Sequence, residues 1–288
     1  MAKKLLLLLL LLQAPLCARL RFGDKNASIK IANGGTLQVE GSVDISGTVS
    51  RESGGTISGS GTLSFDDGVF SEEGTRVNMS GTYAPGTSQL QMTGDQKMVV
   101  DPGTILASLA VSGSGNVLKG QPTFSSAITL ADSSSELTLG IQTALTQNVV
   151  LNSGTLKLSD DLVLADDEFV VGPGTLNTDT RKLHTGNAAL TAATDLTLAN
   201  TTHINLNAPL TLTGTWTCQG AVYINANGHP IDLTNGTLAI AAGGTLTIVD
   251  AQIKGWISTS ITLADGTSKL RLANVDAKLT TSVTYTAG

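Results

Sequence analysis

The side chains of this chain that could do chemistry are few, and the groups that stand out are adjacent acids. Asp66-Asp67, Asp160-Asp161 and Asp166-Asp167 each set two carboxylates side by side. General acid–base work needs a positioned group within reach of each proton it moves. Consecutive residues on a strand point to opposite faces, so such a pair can act together only across a turn. Each pair lies among turn-forming residues, and a solvated acidic turn is the expectation. Asp66, Asp67, Glu72 and Glu73 offer carboxylate oxygens to Ca²⁺, which takes six to eight. The glycine–aspartate nonapeptide of calcium-binding β-rolls is missing. His184, His203 and His229 are the only histidines, and none has a cysteine or second histidine at metal-ligand spacing, which argues against zinc. No serine sits in a Gly-x-Ser-x-Gly elbow. The expectation is therefore a chain without catalytic, cofactor-binding or metal-ligating residues and without a cofactor.

The elements that hold these residues repeat about every 20 positions. Leu37, Ile57 and Val77 form one column, Val43, Leu63 and Tyr83 a second, and Val49 and Val69 begin a third. Later, Val150, Val170, Leu190 and Leu210 recur, followed six residues on by Leu156, Leu176, Leu196 and Trp216. Trp256 fits no column and is expected to be exposed. Columns spaced six, six and eight residues predict three short strands per coil, with alternation such as Thr155-Leu156-Lys157-Leu158 supporting strand geometry. Gly-Thr-apolar units, as at Gly35-Thr36-Leu37 and Gly244-Thr245-Leu246, read as corners: glycine takes the turn and β-branched threonine starts the strand. Ile128 to Leu139 matches Ile261 to Leu272 at eight of twelve positions. Between about 90 and 147 the phase slips, which predicts insertions in the turns. Asn187, Asn207 and Asn227 fall in one register, and stacked turn asparagines are expected to hydrogen-bond from coil to coil. A fixed period of this size in β-type segments specifies a solenoid. The fold class expected is all-β: a right-handed parallel β-helix, three-faced, with about 20 residues per coil.

Composition bounds the partners. Met1-Ala2-Lys3-Lys4, the leucine run from Leu5 to Leu12 and a small residue at Ala18 have the form of a secretory signal peptide, residues 1–18. The run is too short for a spanning helix, which needs about 20 apolar residues. Residues 19–30, with Arg19, Arg21, Asp24 and Lys25, are read as an N-terminal cap, and 31–288 as one parallel β-helix domain. The 288-residue chain carries 17 basic and 23 acidic side chains, a net charge of −6. Losing Lys3 and Lys4 with the leader leaves 15 against 23. That balance disfavours nucleic acid and anionic membranes. Cys218 would be alone in the mature chain, so no internal disulfide forms, and a buried thiol is expected. The stretch from Leu279 to Gly288 shows no helical or charged cap, which suggests either a truncated chain or end-to-end self-association. A threonine array would suit ice, but the pairs Thr211/Thr213, Thr215/Thr217 and Thr245/Thr247 recur irregularly.

With its signal peptide, Gly-Thr-apolar coils and Ser/Thr/Asn/Gly-rich composition, the chain resembles the secreted parallel β-helix surface proteins of bacteria, including adhesins and autotransporter passenger domains. The resemblance covers about residues 30 to 285. It implies a secreted, cell-surface structural or adhesive rod that is not an enzyme, whose partners are host or cell-surface glycans or proteins. The chain lacks the C-terminal membrane barrel and terminal aromatic residue of autotransporters. Pectin-degrading hydrolases share the architecture and supply the alternative, a carbohydrate-active enzyme. Asn177-Thr178-Asp179 is similar to the asparagine–threonine–aspartate motif of polygalacturonases, Gln252-Ile253-Lys254 to their arginine–isoleucine–lysine, and His229 to their glycine-flanked histidine. Their adjacent aspartate pair is absent: Asn200-Thr201-Thr202 stands in its neighbourhood. An inverting hydrolase needs two carboxyl groups on opposite sides of a water, so one aspartate does not suffice.

Overall fold

The computed structural model describes residues 108–257 and 259–279 without a break. Before these it describes the strands Leu20–Phe22, Ser28–Ile31, Thr36–Gln38, Ser42–Ile45, Thr48–Arg51, Thr56–Ser58, Thr62–Phe65, Asn78–Met79, Gln89–Thr93 (with Gly94), Lys97–Val100 and Ile105–Leu106. The leader, Tyr83, and the acidic group Asp66, Asp67, Glu72 and Glu73 lie outside the described residues.

Every strand pairing is parallel, and partners lie about 21 residues apart along the chain. The protein is a parallel β-helix solenoid. Alternating burial explains why: in Thr155–Leu158, Leu156 and Leu158 are buried while Thr155 and Lys157 stand half-exposed. A strand with one apolar face must stack its neighbours to cover it, and each fully buried leucine contributes about 1.5–3 kcal/mol.

Three faces follow one another around each coil. The first comprises an eight-stranded sheet running from Leu20–Phe22 to Val170–Val171. Its place in later coils is taken by Leu190–Ala192, Leu210–Leu212 and Pro230–Asp232. The second is a nine-stranded sheet from Lys97–Val100 to Ile261–Leu263. The third stacks Leu162–Val163, Lys182–His184, Thr202–Asn205, Ala221–Asn225, Thr245–Trp256 and Lys269–Leu279. Thr245–Trp256 serves two faces, because it bends at Asp250, whose φ is 51°. Its first half pairs with Ala221–Asn225 and its second half with Pro230–Asp232. Within the segment read as a cap, Leu20–Phe22 and Ser28–Ile31 are strands paired with Ser42–Ile45 and Thr48–Arg51.

The early columns pair as expected, with Leu37 against Ile57 and Val43 against Leu63. Two later ones do not. Val170 lies against Val149, so Val150 is the half-exposed neighbour and not the core residue. Leu176 lies against Leu198, and Leu196 against Gly174, so the Leu156–Leu176 column passes to Leu198 and Cys218 while Trp216 stands on Leu196. Coil length varies because the corners, not the strands, absorb added residues. Through the phase slip near 90–147 the coils depart from twenty in both directions: Leu90, Leu109 and Ile128 share a column through coils one residue short, whereas Val117 to Thr138 and Ile128 to Val149 span one residue more. Trp256 is 6% exposed and belongs to the core, a correction that follows from the bent strand carrying it inward. Among the described residues no helix is long and apolar enough to cross a membrane.

Candidate functional site

The corners of the coil carry most of the polar chemistry, and most of it is used to join coils. Thr178, the middle residue of the Asn-Thr-Asp motif, is buried; its hydroxyl donates to the Thr201 carbonyl (3.2 Å) and accepts the His203 N–H (2.8 Å). Asn177 Oδ1 accepts the Asp179 N–H at 3.0 Å, and Asp179 is an exposed turn residue with φ 45°. This corner joins the second and third faces. His229 stands at the corner between the third and first faces, and Lys254 follows on the first face. The three matched positions are thus distributed around the coil instead of converging.

The two acid pairs among the described residues, Asp160-Asp161 and Asp166-Asp167, likewise lie outside the strands, at corners. Asp161 Oδ1 accepts the Lys182 N–H from the next coil at 2.9 Å. Asp166 has φ 39°, and it and Asp167 are exposed. Beside them burial lifts the Glu168 carboxyl above its ordinary value, and the charges of Asp167 and Asp166 add to the rise. Glu168 Oε2 is buried without a hydrogen-bond partner. Burial also pushes the Cys218 thiol up to about 12, so this free cysteine is a core residue and no nucleophile.

Asn207 and Asn227 do bind the coil below, through the Thr185 and Leu206 carbonyls at 2.7 and 2.8 Å. The ladder runs from side chain to backbone, not from amide to amide, because the backbone carbonyls at the corner lack strand partners. Further along the same corner Asn274 Nδ2 donates to Asp250 Oδ1 at 2.6 Å.

That corner holds the candidate site. Asn227, Gly228, Asp250, Ala251, Gln252, Asn274 and Asp276 line an open depression of about 370 Å³. It exists because Asn227, Asp250 and Asn274 share positive φ values of 49°, 51° and 52°, which turn three successive coils outward at one point. Amides and two carboxylates can hydrogen-bond a hydroxyl-rich ligand; no aromatic ring and no activated nucleophile is among the lining groups. Among the described residues no three His, Cys, Asp or Glu side chains come together to hold a metal ion.

The threonine pairs singled out in the sequence are spread over all three faces. A different column, Thr155, Thr175, Thr197 and Thr217, runs unbroken up the second face and then meets Ala239. Lys157 and Asn177 flank it, so the array is one residue wide.

No protein-family model, curated protein or solved structure matches this chain.

Proposed function

We propose that this protein is a secreted, cell-surface structural or adhesive rod without catalytic activity. The observation that carries the reading is the separation of Asp179 from His229 and Lys254 by the whole width of the third face. The corner hydroxyls and amides are committed to joining coils, as with Thr178 and Asn207. A stack of this kind gives a long rigid surface from a short repeat, suited to display outside the cell. Fold alone assigns no chemistry; the placement of side chains carries it.

The corner depression favours one second reading, a carbohydrate-active enzyme, because Asp250 and Asp276 both line it. The purified protein is to be incubated with acidic and neutral polysaccharides, scoring new chain ends and retained binding together. Binding without cleavage is the expected result. Cleavage that disappears in Asp250→Asn or Asp179→Asn would replace the rod with the enzyme.

A further inference from the structure

The outward side of the third face is chemically unlike the rest of this acidic chain. Its strands put Lys182, His203, Tyr223, Thr247 and Arg271 in one register, on successive rungs. The neighbouring row reads His184, Asn205, Asn225, Val249 and Ala273, and Lys269 stands beside Arg271. Neither row contains an aspartate or glutamate. Lys182, Lys269 and Arg271 are exposed, and none has an ion-pair partner: the ion pair present among the described residues is Lys157 with Glu136, on the second face. At the centre of the row the His203 and Tyr223 rings lie 5.4 Å apart, tilted by 34°.

We propose that this face binds an acidic polysaccharide laid along the solenoid axis; the proposal rests on the adhesive reading and names its ligand class. From Lys182 to Arg271 is four rungs, about 19 Å at the usual spacing of parallel strands. An extended chain of sugar acids fits such a row. Its carboxylates meet the cations at the two ends, its ring C–H groups lie on His203 and Tyr223, and the Asn205 and Asn225 amides reach its hydroxyls. The net negative charge of the protein does not oppose this, since exposed charges beyond about 8 Å are largely screened at physiological salt. The nearest acids are Asp161, one rung below Lys182 at the foot of its row, and Asp179 and Asp250 at the lateral margins of the face. A broad anionic bilayer would press against them, whereas a single extended strand passes between.

The test titrates the purified protein with polygalacturonate and hyaluronate, with dextran as the neutral comparison, at rising salt. Binding to the two acidic polymers but not to dextran, weakening with salt, is expected. The double variant Lys182→Gln/Arg271→Gln should weaken it by about tenfold or more, and Tyr223→Ala should weaken it as well. Lys119→Gln/Lys254→Gln, which removes the same charge from the other faces, should leave it unchanged. All of these side chains are exposed or half-exposed, so unaltered melting temperatures confirm that each variant folds. Equal losses in the two double variants, or binding only to anionic vesicles, overturn the proposal. Binding to dextran or to protein ligands alone overturns it while sparing the adhesive reading. Silence toward every ligand counts against both.

Discussion

Phe169 and Trp216 stack inside the core with ring centroids 5.4 Å apart and planes 8° from parallel, although Trp216 belongs to a coil two rungs further on. Both rings are almost wholly buried, at 2% and 1% exposure. The column beneath Trp216 runs Leu196 and then Gly174, and a Cβ on Gly174 would come within 2.4 Å of the Leu151 Cβ. The interior is thus filled by one large aromatic pair among leucines and a glycine, a volume balance set between coils.

Trp216→Ala should therefore destabilise the fold by about 3–5 kcal/mol, the range for truncating a buried aromatic. Urea unfolding followed by far-ultraviolet circular dichroism measures it. A loss below about 1 kcal/mol would mean that the pair does not bear on the core.

Asn116 is fully buried and clamps three coils. Its Oδ1 accepts the Gly94 N–H at 3.0 Å, and its Nδ2 donates to the carbonyls of Ser112, Gly113 and Glu136 at 2.9–3.2 Å. Asn116→Ala strands these groups away from water, and about 3 kcal/mol should be lost. Hydrogen exchange at the Gly94 amide, faster in the variant, reads the same event locally.

Acid should loosen the corners. Hydrogen bonds from Thr267, then from Ser268, draw the Asp265 carboxyl down to about 2, and Ser134 and Thr234 lower Asp132 and Asp232 in the same way. A carboxylate depressed in the folded state stabilises it at pH values above the unfolded one, near 4, and that contribution is lost as pH falls toward 2. Glu168, which burial raises, works in the opposite sense. Thermal melts should show stability falling between pH 4 and 2, with a shallower fall in Asp265→Asn. Identical profiles for the two proteins would remove Asp265 from the account.

The fold was legible because a strand covered on one side repeats its requirement in every coil. Thr36-Leu37-Gln38 and Thr56-Ile57-Ser58 announce their own pairing. Long-range register was less legible. Leu196 and Leu198 are both apolar and both buried, and only the length of the corner before them decides which one covers Leu176. The candidate site was legible only in part. Asn227 stood out in its register, but Asp250 and Asn274 join it only through coil-to-coil contacts, and the row from Lys182 to Arg271 is likewise joined by registers that skip over two intervening faces.

The duplicated segment separates what each level decides. In both copies an aspartate accepts the N–H of the residue two positions on and a serine hydroxyl three positions on, Asp132 with Ser134 and Ser135, Asp265 with Thr267 and Ser268. Local sequence determines that turn and the alternating strands on either side of it, since both depend on neighbouring residues alone. Yet the first copy carries the chain from the first face to the second, and the second copy from the second face to the third. Which corner a turn occupies depends on how many residues the preceding coil has used and on which strand lies beneath it. That contact spans a whole coil, and only the tertiary stack supplies it.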